Sequence, residues 1–232
     1  MAYLSGIERQ ALHAAALPER SGKANSDLLH EGDASDQLLI LTEGWACRYK
    51  TTRDGSRQIV ALLVPGDVVN LDVLMFGRLD YGVRALTNAK TIALPCDRVL
   101  ALAEKHTGIA KTMTRFAMVE NAILSQWALG LGRQSAMQRL AHLFCELAVR
   151  LSGHELASSF EMPLTQEQLA DALGLTPVHV NRTMQQLRGM GLIVTSNRTL
   201  TLPDVPLLRK EGEFDPSYLH LAIGSDRMRA SD

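Results

Sequence analysis

The sequence predicts an α+β chain in three parts: an N-terminal antiparallel β-roll of jelly-roll type, one long helix suited to pairing, and a C-terminal winged helix-turn-helix. Three observations predict it. Short β-type runs separated by turn residues fill the stretch from Asp27 to Pro95. One helical stretch runs from Ile109 to about Leu131 without a proline. Two capped helical segments joined at a glycine lie between Leu164 and Arg188. The 232 residues are 46% hydrophobic and carry a formal charge of -1, from 24 Lys+Arg against 25 Asp+Glu. That fraction supports real cores and excludes a mainly disordered chain. Near-neutrality excludes a global basic field, so any nucleic-acid contact has to come from a local patch. Cys47, Cys96 and Cys145 are far apart and in no C-x-x-C pair, which fits a reducing cytoplasm and argues against a disulfide framework or a cysteine metal site. No apolar run reaches the roughly 18 residues of a membrane span, and the start, MAYLSGIERQ, lacks the basic-then-apolar order of a signal peptide. A soluble, cytoplasmic protein is expected.

Each element follows from its local pattern. Ile7, Ala11, Leu12 and Ala15 suit a short surface helix from about Ser5 to Leu17, ending before Pro18. Gln37 to Thr42 runs into Glu43-Gly44, Trp45 to Thr51 into Arg53-Asp54-Gly55-Ser56, and Gln58 to Val64 into Pro65-Gly66-Asp67. Asp54-Gly55 reads as a tight primed hairpin turn, because glycine supplies positive φ without a Cβ clash. Further β runs are expected at Val68 to Leu71, Tyr81 to Leu86 and Lys90 to Leu94. In the long helix Met113, Ala117, Glu120, Leu124, Trp127 and Leu131 recur at alternating four and three, and only Glu120 breaks the apolar stripe. Self-pairing into a parallel dimer is the favoured reading; the alternative is that the stripe packs on its own barrel. Gly130, Gly132 and Arg133-Gln134-Ser135 read as a break, and a second helix from Ala136 to Leu151 follows with Leu140, Phe144, Leu147 and Leu151 on one face.

Thr165 followed by Gln168 is a capping box that starts the next helix, with Leu169, Ala170 and Leu173 buried. Gly174 supplies the left-handed residue of a short turn. Thr176 then caps a helix whose first turn holds Pro177. Val180, Met184 and Leu187 point inward, leaving Val178, His179, Asn181 and Arg182 on outer or flanking faces. Between Asp171 and Asp204 there is no acidic residue, while Arg182, Arg188 and Arg198 lie inside. The positive field is therefore concentrated where a phosphate backbone would run. Gly191 to Leu202 is expected to form a β-hairpin wing around Ser196-Asn197, with Arg198 at its tip.

On these residues the chain resembles the Crp/Fnr family of bacterial transcription regulators over most of its length. The resemblance rests on Gly44 with Asp54-Gly55, Pro65-Gly66-Asp67, Gln138-Arg139-Leu140-Ala141 after the long helix, and above all Leu164 to Ile193. It implies a sensor domain with a cyclic-nucleotide-binding-type β-roll over 1–108, a dimerisation helix over 109–134, and over 135–232 a winged helix-turn-helix domain with a C-terminal extension. It also implies a homodimer on a near-palindromic operator in double-stranded DNA, with RNA polymerase as a further partner. Recognition residues are expected over 176–188. Arg182 can make the bidentate contact to guanine, Val178 cannot accept from a cytosine amino group, and Asn181 can pair with adenine or bond a phosphate. Thr165, Gln166, Thr176, His179, Arg188 and Arg198 are the candidates for phosphate contact.

The effector region departs from the family's cyclic-nucleotide members. Where they carry Gly-Glu-Leu to seat a ribose, this chain has Asn70-Leu71-Asp72. Where they place an arginine against the cyclic phosphate it has Leu79-Asp80, with Arg78 and Arg84 offset. An acid facing an anion opposes binding, so cyclic AMP is disfavoured as ligand. Asn70, Leu71, Asp72, Arg78 and Arg84, lidded by Leu124 and Ser125 of the long helix, remain a candidate pocket for an unknown small-molecule effector or plain barrel structure. No cysteine precedes Cys47, which removes the family's iron–sulfur ligation. His30, His106 and His142 are scattered and read as structural rather than as haem ligands, so neither cofactor nor metal is expected. No H-E-x-x-H, G-x-S-x-G or phosphate loop suggests an enzyme. A small-ligand regulatory module without DNA function is the rival reading, and it leaves the acid-free helix and wing unused.

Overall fold

The computed structural model describes residues 4–153 and 156–221. The chain opens with α1 (Gly6–Ala15), capped by Ser5 and Glu8 in a reciprocal box. Strands β1 (Arg20–Gly22), β2 (Asp27–Leu29), β3 (Gln37–Glu43), β4 (Ala46–Thr51) and β5 (Arg57–Leu63) follow, then a one-turn helix α2 (Val73–Phe76), β6 (Gly82–Ala85) and β7 (Ala89–Pro95). They form two facing antiparallel sheets, ordered β1-β7-β3 and β2-β6-β4-β5. Leu39, Leu41, Ala46, Leu63, Val83, Ala85 and Ala93 fill the space between them, as the two-residue alternation of each strand requires. The opposite face of the larger sheet is apolar too. Cys47, Ile59 and Leu62 join a core that continues into the C-terminal domain.

Two turns differ from expectation. Asp54-Gly55 does close a hairpin, but the loop is the five residues 52–56 rather than a two-residue primed turn; the Thr52 N–H donates to the Ser56 carbonyl, and Gly55 takes φ 87°. The run Val68 to Leu71 is not a strand. Only Val68 bridges to Ile40, because the buried Asn70 side chain is spent on β3, accepting from Leu39 N at 2.8 Å and donating to the Gln37 carbonyl at 3.0 Å.

Helix α3 (Cys96–Lys105) leads into α4 (Thr107–Arg133), which runs 27 residues. Gln134 and Ser135 are extended, and Ser135 with Gln138 caps α5 (Ala136–Ser152). α5 is the centre of the C-terminal core, with Leu140, Phe144 and Leu147 fully buried. Around it lie β8 (Ser159–Glu161), α6 (Gln166–Leu173), α7 (Pro177–Gly189), β9 (Val194–Ser196), β10 (Thr199–Thr201), α8 (Val205–Glu211) and a 3-10 turn (Pro216–Leu219). The last three strands form a sheet ordered β8-β10-β9. The tail from Phe214 to Leu221, expected to dock on either its own DNA-binding domain or a partner subunit, packs on its own chain, with Phe214 and Leu219 buried. Ser225 to Asp232, expected to fray, lie outside the described residues.

Candidate nucleic-acid interface and effector region

The helix-turn-helix is built by local bonds. Thr165 Oγ1 accepts from Gln168 N at 3.2 Å while Gln168 Oε1 accepts from Thr165 N at 2.9 Å. As an acceptor in this bond, the Thr165 hydroxyl keeps its own proton to donate. Gly174 is left-handed at φ 61°, ψ 44° and ends α6; a Cβ there would sit 2.9 Å from Leu131 Cδ2 of α4. Thr176 Oγ1 accepts from His179 N at 3.2 Å, and Pro177 occupies the first turn of α7. Val180, Thr183, Met184 and Leu187 are buried, which turns the opposite face of α7 to solvent.

That face carries Val178, Asn181, Arg182 and Gln185 at i, i+3, i+4 and i+7. Val178 is 80% exposed, an arrangement with no folding benefit. Arg182 and Gln185 are exposed and Asn181 is half-buried. Gln185 was not among the expected base readers, although the seven-residue spacing from Val178 is its signal. Gln166, Thr176 and Arg188 are exposed and His179 is half-buried. The wing turns at Asn197-Arg198 rather than Ser196-Asn197. Both central residues have positive φ, 46° and 65°, as a primed two-residue turn demands. Arg198 is thereby held at the tip, exposed.

Among the described residues Arg182, Arg188 and Arg198 form no ion pair. The nearest preceding acid, Asp171, faces the other way and pairs with Arg57 of β5 at 2.7 Å. Its charge is neutralised on the β-roll, so the reading face keeps its positive field.

The expected effector residues are not assembled into an open pocket. Asn70 braces β3 as described. Leu71 is half-buried against the α2–α3 corner. Asp72 accepts from the Tyr81 hydroxyl. Arg78 is exposed and donates to the Gly32 carbonyl. Arg84 makes a two-pronged contact to Asp27, at 2.8 and 2.9 Å; that guanidinium beside it holds the Asp27 carboxyl below its usual range. Asp80, read as lacking a cation, has Lys50 Nζ 3.8 Å away. Leu124 and Ser125 are exposed on α4 and do not cover their own roll. An open cleft of about 630 Å³ lies instead at the edge formed by β1 and β2, beside Arg20, Lys23 and Asp36, and none of the seven expected residues lines it.

Arg48, not foreseen, fills the space between the roll and α4. Its Nε donates to the Val69 carbonyl at 2.8 Å, and its Nη2 to the Val68 carbonyl at 2.8 Å and to Glu120 Oε1 at 2.7 Å. The guanidinium lies 5.4 Å from the Tyr81 ring centroid. Burial opposes its charge most strongly, and Glu120, Tyr81 and Asp72 together outweigh it, so the guanidinium is held charged. The signal was its parity: on β4 it shares the inward face with Ala46.

The expected dimer stripe is also redistributed. Glu120 pairs with Arg48, Met113 packs in the α1–α3 corner, and Trp127 donates to Glu146 Oε2 at 3.0 Å. Leu131 lies against Gly174, Ala117 is half-buried and Leu124 is 52% exposed. The stripe thus mostly faces its own chain. Burial pushes the Cys47 and Cys145 thiols up to about 12, which leaves them protonated and unreactive at neutral pH. His142 is buried between Gly212 and Tyr218, and no group of three or more metal-binding side chains occurs among the described residues. No helix among the described residues is long and apolar enough to cross a membrane.

Comparison with known proteins agrees with this anatomy. A cyclic nucleotide-binding domain profile matches residues 19–106 and a Crp-like helix-turn-helix domain profile matches residues 138–211. The chain is 29% identical to the transcriptional activator protein FnrL of Cereibacter sphaeroides, over 84% of this chain and 81% of that protein. It is 26% identical to the nitrogen fixation regulation protein FixK of Azorhizobium caulinodans, over 80% of this chain and 75% of that one. The structure of FixK2 from Bradyrhizobium japonicum superposes with a TM-score of 0.76 at 24% identity, covering 84% of this chain and 96% of that one. With a β-roll sensor, a long connecting helix and an exposed, arginine-bearing recognition helix, this chain belongs to the Crp/Fnr family of DNA-binding transcription regulators.

Proposed function

We propose that the protein acts in the cytoplasm as a homodimer on a near-palindromic operator, with residues 176–188 of each subunit in successive major grooves. The observation that carries this reading is the outward stripe of α7, with Arg182 and Gln185 exposed and Arg182 in no ion pair among the described residues, together with a wing arginine held at its turn. Arg182 reads guanine through O6 and N7, Asn181 and Gln185 are suited to adenine, and Val178 meets a thymine methyl. Thr165, Gln166, Thr176, His179, Arg188 and Arg198 position the protein on phosphates.

The dimer seam we propose is the solvent face of α4. Met118, Asn121, Ser125, Ala128 and Gly132 recur there at three and four, flanked by the exposed Leu124 and Leu129. Cyclic AMP is not the effector in this reading: the Arg48–Glu120 pair already bridges roll and helix, and Arg84 is committed to Asp27 rather than free for a cyclic phosphate. The pair holds the connecting helix without a ligand, so DNA binding does not require one. RNA polymerase is the partner through which a regulator bound this way acts on transcription.

Selection from randomised duplexes tests the reading. The expected product is a two-fold-symmetric site with one guanine per half-site and half-site centres about 10 base pairs apart. Arg182→Ala should weaken binding and relax preference at that guanine by about 1–3 kcal/mol. Recovery of no enriched sequence, or one unaffected by Arg182→Ala, would overturn it.

A further inference from the structure

The chain passes from sensor to reading head at the junction of α4 and α5. Gly130 and Gly132 precede it, and Gln134 and Ser135 leave the helix. The match to the Crp-like helix-turn-helix domain ends at residue 211. The residues after it run back across this junction. Gly212 lies so close to α5 that a Cβ would come within 2.6 Å of His142 N, and its carbonyl is 3.1 Å from His142 Nδ1. Glu213 Oε1 accepts from Gln138 Nε2 at 3.0 Å, and the same amide's oxygen caps Ser135 N at 2.9 Å. Phe214 meets the His142 ring edge-on at 5.0 Å. Farther on, the His220 carbonyl accepts from Arg115 of α4. Glu213 and His220 are held at φ 47° and 46°, a conformation that costs a non-glycine residue and persists where surroundings fix it.

The centre of these contacts is a buried carboxylate. Glu146 Oε2 accepts from Tyr218 OH at 2.9 Å and from Trp127 Nε1 of α4 at 3.0 Å. Its Oε1 accepts from Arg150 Nη1 at 3.1 Å, and Arg150 Nη2 reaches Asp67 and the Leu62 carbonyl, each at 2.8 Å. One node therefore joins the connecting helix, the reading domain, the tail and the β-roll.

We infer that residues 212–221 are a strap that locks the α4–α5 junction through Tyr218, Glu146 and Trp127, and so fixes the angle at which the recognition helix is presented. The consequence for DNA rests on the proposed dimer, whose two recognition helices must meet grooves about 34 Å apart. The strap itself does not depend on that reading.

Hydrogen exchange of the DNA-free full chain tests it, using Tyr218→Phe, which deletes one bond to Glu146 while keeping the ring, and Trp127→Phe, which deletes the other and puts a smaller aromatic ring in place of the indole. Amides of residues 130–140 should exchange about tenfold faster in either variant, the effect of losing a bond to a charged group within one cooperative unit. Amides of the β-roll and of α6 and α7 should be unchanged. Exchange at the wild-type rate, or acceleration spread evenly over the chain, would overturn the strap. On duplexes whose half-sites are moved apart by one base pair, wild type should discriminate against the altered spacing and both variants should lose most of that discrimination; retained discrimination overturns the presentation role. A wild-type protein that binds no duplex would sink the DNA reading, and the exchange result would still decide the strap.

Discussion

Arg48 and Glu120 show what a single charge inside the roll costs and does. An arginine at an inward strand position is costly unless every donor finds an acceptor, and here two backbone carbonyls and one carboxylate answer it. A pair of this kind adds little stability over an apolar pair of the same shape, but losing one partner leaves the other charge stranded. Glu120→Ala should therefore destabilise the fold by about 2–4 kcal/mol, whereas the double change Arg48→Met with Glu120→Leu should cost less than Glu120→Ala alone. Urea unfolding of the three proteins measures this. A double variant weaker than the single would mean the pair contributes net stability rather than fixing the position of α4 against the roll.

At the scale of elements, α4 carries two stripes about 100° apart around its axis, since each residue advances about that angle. One, through Met113, Glu120 and Trp127, faces its own chain; the other, through Met118, Asn121, Ser125 and Ala128, faces solvent. Ala128→Lys places a charge in the middle of the proposed seam and should convert the dimer to monomer in sedimentation, while Glu120→Gln, on the inner stripe, should leave it a dimer. The reverse pattern would restore the stripe read from spacing alone. The sequence showed that α4 pairs with something; it did not show which stripe meets which partner, because Arg48 lies 72 residues from Glu120 and Glu146 lies 19 from Trp127. Elements specified by neighbours were legible. The Thr165–Gln168 box, Gly174 and Pro177 act within one turn and located α6 and α7 to within a residue. The short α2 and α8 were missed, since few residues and no sustained period announce them, and the strand expected at Val68 was lost to an asparagine side chain that only tertiary contact reveals.

Across the whole molecule the balance of -1 conceals a separation of charge. In the β-roll Asp27 is paired with Arg84, Glu43 with Lys90 and Glu31 with Lys50, and Arg57 takes up Asp171 at the domain boundary. On the reading side Arg182, Arg188 and Arg198 form no ion pair among the described residues. If a dimer neutralises about 6–8 phosphates, log affinity should fall with log salt at a slope of about -5 to -7. The two classes of arginine then separate cleanly. Arg198→Ala removes one phosphate contact per subunit, so the slope should shrink by about 2 while the preferred sequence stays the same. Arg182→Ala should instead lower affinity most for the selected operator and least for unrelated duplex, because its contact carries sequence information. Titrations at several salt concentrations on the operator and on a scrambled duplex measure both. A slope near zero would mean that this near-neutral chain does not use its acid-free face for a polyanion, and an equal loss on both duplexes would move Arg182 from reading to positioning.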